Sequence, residues 1–386
     1  MGRLHKVLIF MLFSMAGSQG LAQVNMGAIG DSLTDEYLAV TGKATANDLA
    51  ANSWLQILAT TRGADFNFGA YNPDPDPASN WGGTRDSGYE YNFAKSGGVA
   101  SNNTMANYLG TPLPVTLFGS AYGDAMASGL AVEIANGNVD TAFVGLGSND
   151  YFYRSSQFTD ANGTTIQDPA LPAPGDEAGW ALWQEENSTD IANSILGQID
   201  TLQTASVGQT DIIVGLIPLG TASGDDNPDI IAAIELTNAK LLAGLSGRDD
   251  ITVVDLWAWT DPNAGYTDEF GNVTIDDLMI MLNSQATAPE DLSPAGAGAC
   301  NSSGQCATAS HATKYIADDG LHPNTAIQAL MANEIIKAVN QAKGTNIALL
   351  SNAEIIALTG AEVPLPAAAW LFASALALLF RARRAA

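Results

Sequence analysis

The run V-N-M-G-A-I-G-D-S-L, from Val24 to Leu33, decides how the rest of the chain is read. Its apolar part has the composition of a buried strand, and Gly30-Asp31-Ser32 halts it where a helix is due to begin. A serine at the carboxyl end of an early parallel strand stands where open α/β sheets gather their ligands. Gly30 permits a tight turn, and Asp31 is suited to cap the amides that follow. Such a turn holds the Ser32 hydroxyl exposed and close to free N–H groups. The same residues also suit an ordinary strand-to-helix turn with a capping serine. Ser32 reads as a nucleophile only if the chain also supplies a base, an orienting acid and an oxyanion site.

Working outward, strand and helix patterns alternate. Asn52 to Arg62 places Trp54, Leu55, Ile57 and Leu58 at helical spacing, giving a first crossover helix with Trp54 in the core. Tyr89 to Ala94 reads as a short second strand ending in Ser96-Gly97, and Thr141 to Leu146 as a buried third ending in Gly147-Ser148-Asn149. Asp211 to Ile217 and Ile251 to Leu256 read as the last strands. Helices are expected from Ala121 to Ala135, Ala192 to Thr204, Asp229 to Leu245 and Thr325 to Ala342. This alternation implies one parallel sheet with helices on both faces. Asn67 to Gly88, Phe152 to Gly179 and Trp257 to His311 read as loops or insertions. Asp74, Asp76 and the acids of Asp268 to Leu278 invite a calcium reading, but they lack EF-hand spacing and suit a solvated loop better.

The polar turns after the first three strands converge on one sheet edge in such a fold. A fourth turn, Asp318-Asp319-Gly320-Leu321-His322-Pro323, precedes the closing helix, and Pro323 suits that helix's first position. Of three histidines, His5 falls in the leader, leaving His311 and His322 as imidazole bases. Asp319, three residues before His322, can accept from one ring nitrogen and leave the other to take the Ser32 proton, with Asp318 as the lesser alternative. His311 has no such neighbour and reads as a loop residue. Donors for an oxyanion come from the Ser32 amide, the Gly97 amide and the Asn149 side chain, although Asn149 equally suits turn capping.

Together these residues resemble the GDSL/SGNH hydrolases, a family of serine esterases and lipases. Gly30-Asp31-Ser32-Leu33 is similar to the family's first block, Asn92-Phe93-Ala94-Lys95-Ser96-Gly97 to the second, Gly147-Ser148-Asn149-Asp150 to the third and Asp319-Gly320-Leu321-His322-Pro323 to the last. The four stand in the family's order across most of the chain. The resemblance implies Ser32 as nucleophile, Asp319 and His322 as its partners, and Gly97 and Asn149 as oxyanion donors. It further implies a flavodoxin-like three-layer α/β/α sandwich with about five parallel strands, the SGNH hydrolase fold. No cofactor or metal is expected. The three long insertions depart from a minimal member and leave the substrate open.

The two ends speak of export. Arg3 and Lys6, an apolar stretch from Val7 to Met15 and small residues before Gln23 make residues 1–22 a signal peptide. Residues 23–345 are then the hydrolase domain, 346–362 a linker and 363–386 a terminal signal. In that signal, Val363-Pro364-Leu365-Pro366 leads into an apolar run through Phe380 and then Arg381, Arg383 and Arg384. It resembles the PEP-CTERM sorting signal of Gram-negative bacteria, which implies an exosortase-type processing enzyme as partner and membrane contact through the tail before processing. A plain membrane anchor is the simpler alternative. Cys300 and Cys306, close in one loop, read as a local disulfide in an oxidising compartment.

Net charge is −26, from 41 acidic and 15 basic residues, which sets the chain against nucleic acid as a partner. The expectation is therefore an exported, envelope or extracellular serine ester hydrolase acting on lipid, short-chain or O-acetylated polysaccharide esters. The alternative is a non-catalytic surface or matrix-binding module on the same fold.

Overall fold

The computed structural model describes residues 23–35, 52–72, 88–95, 97–104, 123–155, 157–159, 165–167, 171–206, 210–218, 227–256 and 325–358. In chain order its elements are β1 (Val24–Gly30), α1 (Trp54–Thr61), β2 (Phe66–Asn67), β3 (Tyr71–Asn72), β4 (Gly88–Tyr89), α2 (Gly123–Ala135), β5 (Thr141–Gly145) and α3 (Ser148–Ser155). There follow β6 (Gln157–Thr159), β7 (Thr165–Gln167), α4 (Glu177–Ser206), β8 (Asp211–Gly215), α5 (Pro228–Leu245), β9 (Ile251–Val254), α6 (Thr325–Lys343) and α7 (Asn352–Leu358).

Alternation along the strands sends side chains to both faces of one sheet, and both faces are dry. Met26, Ala28, Phe143 and Ile213 point into a core closed by α1, α6 and α7. Ile29, Ala142, Val144, Ile212 and Val214 point into a second core closed by α2, α4 and α5. The five central strands run parallel in the order β2-β1-β5-β8-β9. This is an α/β fold, as the alternation of patterns implies.

Local chemistry sets the element ends. Ser53 and Gln56 form a capping box that starts α1, and Trp54 then packs edge-on to Phe143 at 5.0 Å. Asn227 caps α5 with Pro228 behind it. At the amino ends of β5 and β8, Lys343 bridges Asp140 and Asp211 at 2.9 and 3.0 Å, so the end of α6 is pinned to the sheet's lower edge.

The structure departs from the sequence reading in four places. The second strand of the sheet is Phe66–Asn67, at the very start of the stretch expected to be loop from Asn67, and it pairs only with the first half of β1. The expected strand at Tyr89 to Ala94 instead opens in the antiparallel β3–β4 pair. It then runs beside the second half of β1 through Ala28 N–H to the Tyr91 carbonyl (3.0 Å), Phe93 N–H to the Ala28 carbonyl (2.8 Å) and Lys95 N–H to the Gly30 carbonyl (3.0 Å). Two short segments thus share one edge of β1. The expected insertion at Phe152 to Gly179 holds the second half of α3 and the β6–β7 hairpin, and α4 is 30 residues long because Trp180, Trp183 and Ser188 extend its buried face toward its start. Lastly, residues expected as a linker pack on the body. Ile347, Leu350 and Ile355 are buried, and Arg62 holds the Ala348 and Leu349 carbonyls and Glu354. The packed unit therefore runs to Leu358.

Among the described residues no helix is long and apolar enough to cross a membrane, and no group of three or more acidic, histidine or cysteine side chains is placed to hold a metal. Residues 1–22 and 363–386, the Cys300 and Cys306 pair, Asp74, Asp76 and residues 268–278 lie outside the described residues.

Candidate functional site

The carboxyl end of β1 delivers a turn in which Asp31 does what its position suggests. Its Oδ1 accepts the Leu33 amide at 2.9 Å, and its carbonyl accepts the Thr34 and Asp35 amides, both at 3.0 Å. The turn is then gripped from three sides. Asn92 Nδ2 donates to the Thr34 carbonyl at 3.1 Å, Trp54 Nε1 to Thr34 Oγ1 at 3.3 Å, and Gln328 Nε2 of α6 to the Leu33 carbonyl at 3.3 Å. Gln328 Oε1 also accepts the Trp54 amide, and Thr325 Oγ1 the Asn52 amide. Ser32 sits at the centre of this frame, only 7 % exposed. Its amide and hydroxyl are therefore carried by fixed backbone.

The second turn lies against the first. After Lys95 closes on Gly30, Gly97 takes φ +75°, a conformation that side chains with a Cβ rarely adopt. Gly98 packs so closely that a Cβ there would stand 2.9 Å from the Gly30 carbonyl. The third turn joins them through Asn149, whose Nδ2 donates to the Gly98 carbonyl at 3.1 Å and which is buried at the start of α3. Ser32, Gly97 and Asn149, from three separate turns, are thus brought to one edge of the sheet. Asp319 and His322, with Asp318 and His311, lie outside the described residues; α6 begins at Thr325, three positions beyond His322.

Sequence reasoning passed over the groups that lock the second and third turns together. Asp150 is fully buried, and its carboxylate accepts Ala100 N–H at 2.7 Å, Ser101 N–H at 3.0 Å and Thr104 Oγ1–H at 2.5 Å. Thr104 Oγ1 in turn accepts from Arg154 Nε and Nη2 at 2.9 and 2.7 Å. Arg154 continues to Asp190 at 2.6 Å and to Asn187, so α3 is tied to α4. Ser101 Oγ at 2.5 Å and Asn103 Nδ2 at 2.7 Å complete the shell of Asp190. Burial is the largest influence on Asp150 and pushes its carboxyl above the usual range, against the opposing pull of Arg154, Thr104 and the two amides. For Asp190 burial acts the same way, but the donors from Arg154, Ser101 and Asn103 win and hold its carboxyl below the usual range. The signal for this network was present in the sequence as an acid and an arginine one helical turn apart, directly after the Asn149 turn.

A small, mostly apolar hollow lies at the same sheet edge, between Leu33, Leu146, Ile217, Pro218, Leu256 and Met331. The hollow has room for about one water molecule, so it is a packing gap beside the turns and not a substrate pocket. No model of a known protein family matches this chain, and no curated protein matches it.

Proposed function

We propose that the chain is an exported serine ester hydrolase of the GDSL/SGNH type. The observation that carries the reading is the meeting of Ser32, Gly97 and Asn149, held from three different turns through Lys95, Gly30 and Gly98. An ordinary capping serine would need no such neighbours. Strand order adds support, since the central strands counted along the chain run 2-1-3-4-5, the order of flavodoxin-like sheets. The placement of α6 adds more, because its first turn, just beyond His322, is bonded to the Ser32 turn through Gln328.

In this scheme Ser32 Oγ attacks the ester carbonyl while His322 takes its proton and Asp319 orients the imidazole. The Ser32 amide, the Gly97 amide and the remaining Asn149 N–H receive the oxyanion. His322 returns the proton to the departing alcohol, and water, deprotonated by the same imidazole, releases the acid from Ser32. The scheme calls on no cofactor. The leader at residues 1–22 and the PEP-CTERM-like tail suit a protein that leaves the cytoplasm, passes an exosortase-type enzyme and meets O-acetylated polysaccharide or acyl esters at the cell envelope or outside it.

The test is hydrolysis of nitrophenyl acetate, butyrate and longer esters, with acetylated xylan alongside, by the full chain and by Ser32→Ala. Turnover that vanishes in Ser32→Ala is the expected result. Equal background rates in both folded proteins, with no labelling of Ser32 by a fluorophosphonate, would overturn the esterase reading and favour a binding module.

A further inference from the structure

Asn149 and Tyr153 are one helical turn apart on α3 and therefore share the face turned to the Gly97–Gly98 turn. Asn149 reaches the Gly98 carbonyl, and a Cβ on Gly97 would stand 3.0 Å from the Tyr153 Oη. The Tyr153 ring is half-buried and packs edge-on to Phe152 at 5.5 Å. Its phenol thus stands at the wall on which two of the proposed oxyanion donors, Gly97 and Asn149, lie. Burial first, then the charges of Asp31 and Asp150, push the Tyr153 phenol above its usual range. The group accordingly keeps its proton through neutral pH, and a protonated phenol is a hydrogen-bond donor.

The charge pattern gives this donor a task. Asp31 on the nucleophile turn and Asp150 beneath it are both close enough to act on the phenol. An oxyanion forming beside those carboxylates is disfavoured unless fixed donors stand between them. The Tyr153 hydroxyl, set beside Gly97, is such a donor, and its rigid ring gives it a defined position.

Resting on the hydrolase reading, we propose that Tyr153 is a further catalytic residue, whose Oη–H donates to the oxyanion formed as Ser32 attacks the ester. The phenol keeps its proton throughout. It strengthens its hydrogen bond as the carbonyl electron pair moves onto oxygen and relaxes when the carbonyl re-forms and the alcohol leaves.

The test is Tyr153→Phe in the full chain, which keeps the ring and removes the donor. Three readouts are compared with the parent chain: kcat and KM on nitrophenyl butyrate, inhibition by a boronic acid that forms a tetrahedral adduct on Ser32, and the thermal midpoint. The expected result is a kcat lower by roughly 100- to 1000-fold with KM little changed, as for loss of one oxyanion donor. Boronate affinity should fall by a similar factor and the midpoint stay put. Unchanged kcat and boronate affinity in an active parent would overturn the proposal alone. A higher KM with unchanged kcat would also overturn it, by making Tyr153 a binding wall. A parent chain that neither hydrolyses esters nor takes a fluorophosphonate on Ser32 overturns the hydrolase reading, and the proposal with it.

Discussion

Replacing Asp150 by Asn is the sharpest probe of how the site is held. The two side chains have the same shape, so the change isolates charge and hydrogen-bond polarity. Ser101 N–H and Thr104 Oγ1–H donate to Oδ1, and Ala100 N–H donates to Oδ2 at 2.7 Å. An amide oxygen can replace only one of these acceptors. If it keeps the Oδ1 pair, its NH2 meets the Ala100 N–H and leaves a buried donor unsatisfied, at a cost of about 1–3 kcal/mol. Arg154 loses a compensating charge as well. Arg154 reaches Asp150 through Thr104 Oγ1 and keeps its own ion pair with Asp190 at 2.6 Å, so this loss is small beside the orphaned amide. The expected loss is about 2 kcal/mol, or roughly 3 °C in the midpoint for a unit of this size. Urea unfolding at pH 7, followed by tryptophan fluorescence, measures it. A loss below about 1 kcal/mol would refute the reasoning. It would mean that burial has already neutralised the Asp150 carboxyl at that pH and that Asp190 alone balances Arg154.

Two further outcomes follow from single contacts. Gly97→Ala forces a Cβ onto a residue at φ +75° and against the Tyr153 Oη at 3.0 Å, so it should cost about 1–2 kcal/mol and sharply lower esterase turnover. Combining it with Tyr153→Phe removes the close contact and should give a stability loss smaller than the sum, as a double-mutant cycle would read. Arg62 holds the Glu354 carboxyl down at about 2, with help from Ser351. Because that value is depressed, the stabilisation is complete above the ordinary value of 4.5 and is lost as pH falls toward 2. The pair is partly exposed, with Glu354 at 43 %, so solvent screening limits the effect to about 1 kcal/mol or less. Acid titration of the midpoint for the parent and Arg62→Met should show a steeper fall in the parent between those values, and parallel curves would count against the clamp.

The sequence by itself determined the class of fold, because strands buried on both faces and amphipathic helices are written in local periodicity. Val24–Gly30, Thr141–Gly145 and Asp211–Gly215 needed nothing but their apolar runs to be found, and the polar turns that follow the first two stand in plain view. Ser32, Gly97 and Asn149 could therefore be named from composition and position. Their convergence on one edge followed from a parallel fold, but the contacts that join them depend on strand order and register. β2 escaped notice because two residues, Phe66 and Asn67, carry no period, and only the open edge of β1 makes them a strand. The start of α4 escaped because acids and Gln184 dominate its exposed face, and the burial of Trp180 and Trp183 appears only once α5 and Tyr151 are beside them. The grip of Gln328 on Leu33 spans 295 positions and that of Arg154 on Asp190 spans 36. Such contacts have no local signature, because a hydrogen bond depends on distance in space and leaves no pattern in neighbouring residues. Local chemistry chose the strands and turns, and tertiary packing alone decided which contacts join those turns and which buried charges fasten them.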